Sequence, residues 1–262
     1  MMIKWVWIFL ISAISINTFG QNCSDVILDN ANMVYRYTDF EILKVNSIGD
    51  TLYRYSNNSL GKISYIDVTN PMKPLVFYND AQKIAVLDNT LSLQNQRVIN
   101  LEDIEAYSTQ CVATSQSEQG FWLYDLELME IERFDFRLQK KVSTGNLLQL
   151  LGVDELNVLS LKERSGFLFV TTEHQGVIIF DIYGTLYKIL DFKNVQYLDV
   201  LGKNLILQND NNLIIMPLDI WDAKPIGNID VSNSDKVLFI NEKELYICKN
   251  GKVETLSWTT TD

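Results

Sequence analysis

Short apolar runs closed by Asn or Asp, recurring about every 40–45 residues with little helical periodicity between them, predict an all-β chain. A period of that length with several strands in each repeat is the pattern of a β-propeller, here of five or six blades in a single domain. A four-stranded blade cannot bury both of its faces alone, so it stacks on its neighbours.

The first twenty residues stand apart from this pattern. Lys4 supplies a positive start, Trp5 to Ile16 form an apolar run, and Thr18 and Gly20 place small residues before Gln21. Residues 1–20 therefore read as a secretory signal peptide, and 21–262 as the β-propeller domain. The run is too short for a spanning helix, which needs about 20 apolar residues, and no second run of the kind follows. Removing Lys4 takes the net charge from −11 to −12. Cys23 lies just past the expected cut, which opens a lipoprotein alternative. Asn22 argues against it, because a lipid-modified cysteine usually follows a small residue.

After the leader come FEILKVN (40–46), ISYIDV (63–68), PLVFYND (74–80), KIAVLD (83–88), GFLFVTT (166–172), GVIIFD (176–181) and NLILQND (204–210), each about one strand long. The repeating motif is an apolar strand, an Asp or Asn, a short turn, then a second strand beginning near Leu. Its polar markers are Asn46, Asp88, Asp135, Asp181 and Asp219, spaced by 42, 47, 46 and 38 residues. An Asx side chain at a strand end bonds its own turn backbone, so these residues are expected to be structural. Blades are expected at 25–58, 62–101, 108–144, 155–193, 195–229 and 235–258. The last has three obvious strands, which leaves five or six open. The best helical candidate, Leu147 to Leu156, reads as a loop turn rather than a long helix.

Composition narrows the function. With 33 acidic and 22 basic side chains, the chain lacks the dense basic surface that nucleic acid requires. His174, the single histidine, sits in a Glu-His-Gln-Gly turn without metal-ligand spacing around it. No nucleophile-elbow, phosphate-loop or dinucleotide motif is present. Glu130 and Glu132 alternate with Met129, Ile131 and Arg133, as a solvated strand face would. Residues 208–212 (QNDNN) read as a hairpin turn rather than a calcium loop, having one carboxylate. Phe121 to Tyr124 read as packing between blades, and Trp221 and Trp258 as partly exposed strand ends. Cys111 and Cys248 fall in apolar runs and read as small buried side chains. Among Cys23, Cys111 and Cys248 one disulfide is possible, and sequence does not choose the pair. No catalytic residue, metal ligand or cofactor is assigned.

The most distinctive stretch is Tyr65-Ile66-Asp67-Val68-Thr69-Asn70-Pro71, continuing to Tyr78, together with Val86 to Leu91. On these residues the chain resembles a family of short secreted β-propeller-like envelope proteins of Bacteroidota, similar to the plug subunit of the type IX secretion outer-membrane translocon. The likeness is specific over residues 61–91 and general elsewhere. It implies a non-enzymatic periplasmic protein that associates with the outer membrane and seals the periplasmic mouth of a large β-barrel. Asn70-Pro71 is expected to form a stiff turn, and Asp67, Asn70 and Pro71 are the expected partner contacts. Two other classes remain open: a small-ligand or glycan-binding envelope propeller, and a hydrolase with two carboxylates about 5–9.5 Å apart.

Overall fold

The computed structural model describes residues 26–257 except 47–48, 118, 211, 219–226, 231–235, 242–243 and 250–251. Residues 1–20, expected to be a signal peptide, and Cys23, Asp219, Trp221 and Trp258 lie outside the described residues. The chain folds as six antiparallel meanders. The first comprises β1 (Val26–Leu28), β2 (Val34–Tyr37), β3 (Glu41–Val45) and β4 (Thr51–Ser56). The second comprises β5 (Tyr65–Asp67), β6 (Leu75–Tyr78), β7 (Lys83–Leu87) and β8 (Leu93–Asn100). The third holds β9 (Thr109–Ser115), β10 (Gly120–Asp125), β11 (Glu130–Asp135) and β12 (Lys140–Ser143). The fourth holds β13 (Val158–Arg164), β14 (Phe167–Thr172), β15 (Val177–Asp181) and β16 (Leu186–Leu190). The fifth holds β17 (Val195–Leu201), β18 (Asn204–Asn209), β19 (Asn212–Pro217) and β20 (Gly227–Asp230). The sixth has three strands among the described residues, β21 (Lys236–Ile240), β22 (Glu244–Lys249) and β23 (Lys252–Ser257). Every sheet starts and ends within three residues of its expected bounds, and the count is six.

The chain divides into two compact units, residues 29–193 and residues 194–262 with the segment ending at Leu28. In the larger unit the third sheet shows why the strands read as continuous apolar runs. Phe121, Leu123, Val112 and Phe134 pack against Leu75, Phe77, Ile84 and Val86 of the second sheet. Trp122, Tyr124, Ala113 and Ile131 pack against Leu161, Leu168, Val170 and Phe180 of the fourth. Successive side chains point to opposite faces, and here both faces are covered. In the smaller unit, Ile206, Leu213 and Ile215 of the fifth sheet meet Val237, Leu245 and Ile247 of the sixth in the same way, and β1 lies beside β21.

This two-sided packing corrects the reading of Glu132 as part of a solvated face. Glu132 is 2% exposed, on the same face as Leu123 and Phe134, with Lys140 Nζ at 2.5 Å from Oε1. Burial raises its carboxyl pKa, and Lys140 opposes the shift. Arg133, on the opposite face, is also buried and lies over the Trp122 ring. An alternating polar pattern signals solvent only where a sheet has one wet face.

The four described Asx markers sit at equivalent places, each where the third strand of a sheet turns into the fourth. Asp88 Oδ1 accepts the N–H groups of Thr90 and Ser92. Asp135 Oδ1 accepts those of Arg137 and Gln139, and Asp181 Oδ1 those of Tyr183 and Thr185. Asn46 Oδ1 accepts the Asp50 N–H. The residue three places on has positive φ each time: Gly49 (97°), Leu91 (60°), Leu138 (64°) and Gly184 (83°). Asp181→Ala and Asp135→Ala are each expected to cost about 1 kcal/mol, while Asn, which keeps an acceptor oxygen, costs less. Thermal unfolding of the variants measures this.

Acid acts on the same turns. The Thr90 hydroxyl and the Thr90 and Ser92 amides hold Asp88 below the usual carboxylate range. For Asp135, burial pushes upward but the Gln139 amide, Lys141 and the Arg137 amide outweigh it. A depressed folded pKa stabilises above the unfolded value, about 3.9, and that contribution is lost as pH falls through the folded value.

The segment at 147–156 contains a short α-helix, α1 (Leu147–Leu151), in place of the expected loop turn. Asn146 caps it by accepting the Gln149 N–H, and Gly152 ends it in the left-handed conformation. Residues 208–212 form the expected hairpin between β18 and β19, with Asn209 opposite Asn212. Asn211 is outside the described residues. Gln208 is buried rather than part of the turn surface, and its Oε1 accepts the Val237 N–H of the sixth sheet.

Candidate functional site: a polar cleft between the second and third sheets

The distinctive stretch at 65–78 forms β5, β6 and the turn between them. Asp67 Oδ1 accepts the Thr69 N–H at 2.7 Å, Asn70 Oδ1 accepts the Met72 N–H at 3.0 Å, and the Asn70 carbonyl accepts the Lys73 N–H at 2.9 Å. Two nested Asx turns and Pro71, with its fixed φ, make this a rigid turn. Met72 at its tip is 60% exposed.

Asp67, expected as a partner contact, is instead buried, and its Oδ2 accepts the Thr114 N–H of the third sheet at 2.7 Å. It clasps two sheets together. Asn70 and Pro71 line a cleft of about 310 Å³ with Lys73, Thr114, Gln119 and Phe136. Lys73 Nζ donates to Gln119 Oε1 at 2.8 Å. The same ammonium lies 5.3 Å from the centroid of the Phe136 ring, and the Arg97 guanidinium lies 5.9 Å from it. Thr114 is 3% exposed, and its hydroxyl has no hydrogen-bond partner. Its environment is already short of one polar group.

Below the cleft sits a second clasp, which sequence reasoning missed. Glu163 of β13 is 2% exposed and its two oxygens accept four donors from the third sheet. These are the Ser115 hydroxyl (2.9 Å), the Gln116 and Ser117 amides (3.0 and 2.7 Å) and the Trp122 indole N–H (2.5 Å). A signal was present: Asp67 and Thr114, like Gln116 and Glu163, are 47 residues apart, one repeat length. Polar residues recurring at that spacing inside apolar strands mark bonds between adjacent sheets.

The buried carboxylates of this unit thus have internal partners. Asp29 accepts the Ala31 and Met33 amides and the Tyr35 hydroxyl, and Asp125 accepts the amides of Glu127 and Leu128. His174 is exposed in its turn, 4.0 Å from Glu173. Among the described residues no group of three or more His, Cys, Asp or Glu side chains is placed to hold a metal.

The six meanders have counterparts among solved structures. The fold is a β-propeller. A WD40 domain of Pan2 from Neurospora crassa superposes with a TM-score of 0.60, covering 95% of this chain and 84% of its own, at 9% identity. At that identity the likeness concerns the fold alone. No family model matches the chain, and no curated protein matches it.

Cysteine chemistry follows from placement. Cys248 in β22 is disulfide-bonded, whereas Cys111 in β9 is free, its Sγ 3.6 Å from the Val158 carbonyl oxygen. Burial pushes the Cys111 thiol up to about 12. The thiolate fraction at pH 8 is then on the order of one in ten thousand. Cys111 is expected to resist iodoacetamide in the folded protein and to react on unfolding in guanidinium, as read by mass spectrometry.

Proposed function

We propose that this chain is a non-enzymatic interaction propeller of the cell envelope. On this reading it is exported by residues 1–20, acts in the periplasm, and seats against the large outer-membrane barrel of a type IX translocon, whose periplasmic mouth it closes. The observation that carries the reading is the position of its most distinctive sequence. Between its two strands, residues 68–74 form a stiffened turn that exposes Met72 at its tip. Loop residues held on a rigid scaffold are the usual carriers of recognition. The disulfide at Cys248 fits an oxidising compartment. Among the described residues no helix is long and apolar enough to cross a membrane.

The polar cleft favours one second reading, a small-ligand or glycan-binding propeller. Against a stacked sugar, the Phe136 ring already has two cations over it.

Affinity purification of the tagged mature chain from detergent-solubilised envelopes tests the first reading. A very large outer-membrane barrel is expected to travel with it in comparable amount. Recovery of the protein alone, from the soluble periplasmic fraction, contradicts the translocon role and promotes the ligand-binding propeller.

A further inference from the structure

The cleft between the second and third sheets has a chemistry that specifies more than contact. Its two neighbouring cations differ from several others in this acidic chain. Arg54, Lys62, Lys140 and Lys141 each meet a carboxylate. Among the described residues Lys73 meets the Gln119 oxygen and the Phe136 ring alone, and Arg97 that ring alone. A ring face attracts a cation without cancelling its charge. In a chain of net charge −11, two positive groups share one aromatic side chain with no carboxylate partner among the described residues, which do not include Glu118 beside Gln119.

The described carboxylates nearby, Asp67 and Glu163, do not fill that role. Asp67 is turned to the Thr69 and Thr114 amides, and Glu163 to its four donors. The same bonds consume the main-chain N–H groups of residues 114, 116 and 117, so the cleft has no backbone nest of the kind that cradles phosphate. What remains to donate from the cleft lining is the Lys73 ammonium and the NH2 groups of Asn70 and Gln119, whose oxygens are engaged within the protein. Buried beside them is the unpartnered Thr114 hydroxyl. One or two positive charges with neutral amide donors match a single carboxylate and the peptide groups next to it. A polyanion would meet the repulsion of the whole chain.

The geometry points to the cleft as a binding site for a carboxylate carried by a peptide segment of the partner, with Lys73 as the charge contact, Arg97 adding positive charge from beside the Phe136 ring, and Asn70 and Gln119 donating to the adjacent main chain. This names the chemistry of the interaction reading above and rests on it. The carboxylate belongs either to an acidic side chain or to a chain terminus, and the probes separate the two.

The test is a fluorescence-anisotropy titration of the mature chain with three dye-labelled peptides. They are Gln-Glu-Gln-Gln blocked at both ends, tetraglutamine with a blocked N-terminus and a free C-terminus, and tetraglutamine blocked at both ends. Binding of the first shows a side-chain site and binding of the second a terminal one. The blocked tetraglutamine is expected to bind about tenfold more weakly than whichever of these binds, the effect of one charge-assisted hydrogen bond. Lys73→Met is expected to weaken binding about tenfold, and Lys73→Glu with Arg97→Glu to abolish it. Lys62→Glu, the same charge change at an exposed turn elsewhere, leaves it unaltered. Thermal unfolding verifies that each variant is folded. Equal binding of all three peptides, or equal affinity of the Lys73→Glu and Lys62→Glu proteins, overturns the proposal. If the barrel co-purifies undiminished with Lys73→Glu, the cleft is dismissed while the interaction reading stands. If the peptides bind as expected and no partner co-purifies, the translocon reading fails and the cleft chemistry stands.

Discussion

Glu163→Ala is expected to destabilise the larger unit by about 3–5 kcal/mol, the range for removing one partner of a buried charged network. The Ser115 hydroxyl, the Gln116 and Ser117 amides and the Trp122 indole all lose their acceptor at once. Trp122 and Ser115 are buried, so water does not replace the lost bonds without opening the contact between the third and fourth sheets. Glu163→Gln keeps one acceptor oxygen but turns an NH2 group toward donors, and is expected to cost about 2 kcal/mol. Chemical denaturation measures both, with the midpoint falling while the slope is unchanged. A loss below about 1 kcal/mol for Glu163→Ala means that the clasp does not hold the two sheets.

Gly176→Ala carries the second large effect, from backbone geometry alone. Gly176 has φ of +84° in the hairpin between β14 and β15, and its carbonyl accepts both the amide and the hydroxyl of Thr172. A Cβ there would run into the Leu190 carbonyl oxygen, with the Leu190 carbon and the Phe192 nitrogen at 3.2 Å behind it. Backbone cannot swing aside as a side-chain tip does, so the hairpin or the end of β16 must shift, at about 3 kcal/mol or more. Gly166→Ala is the matched control. Its φ is +82° with nothing within 4 Å of the added carbon, and it bears only the left-handed cost of about 1 kcal/mol. Equal losses for the two variants contradict the steric account.

Much of this architecture is legible in the residues, and the reason is local. Asn46, Asp88, Asp135 and Asp181 form their turns within four residues of themselves, so their spacing reports the period directly. Phe121 to Tyr124 read as packing because an unbroken apolar strand has two covered faces. Glu132 and Arg133 were misleading for the same reason: their burial depends on a neighbouring sheet that the strand does not name. The candidate site divides likewise. Asn70 and Pro71 announce a turn by type, and the turn places them on the cleft wall. Asp67 looks alike in sequence but turns inward, because the Thr114 amide it bonds is 47 residues away. Lys73, Gln119, Arg97 and Phe136 meet only once the sheets stack. The separation of 46 residues between Lys73 and Gln119 is one repeat, visible as such only with the strand phase known.

The central claim is that the turn at 68–74 meets a protein partner in the envelope. A photo-crosslinking residue at Met72, with one at Tyr107 in the connection before β9 for comparison, tests it in intact native cells. Both positions are exposed, at 60% and 54%. The account predicts an adduct from Met72 to a very large outer-membrane barrel protein and none from Tyr107. No adduct at Met72, or the barrel captured through Tyr107 alone, would contradict it.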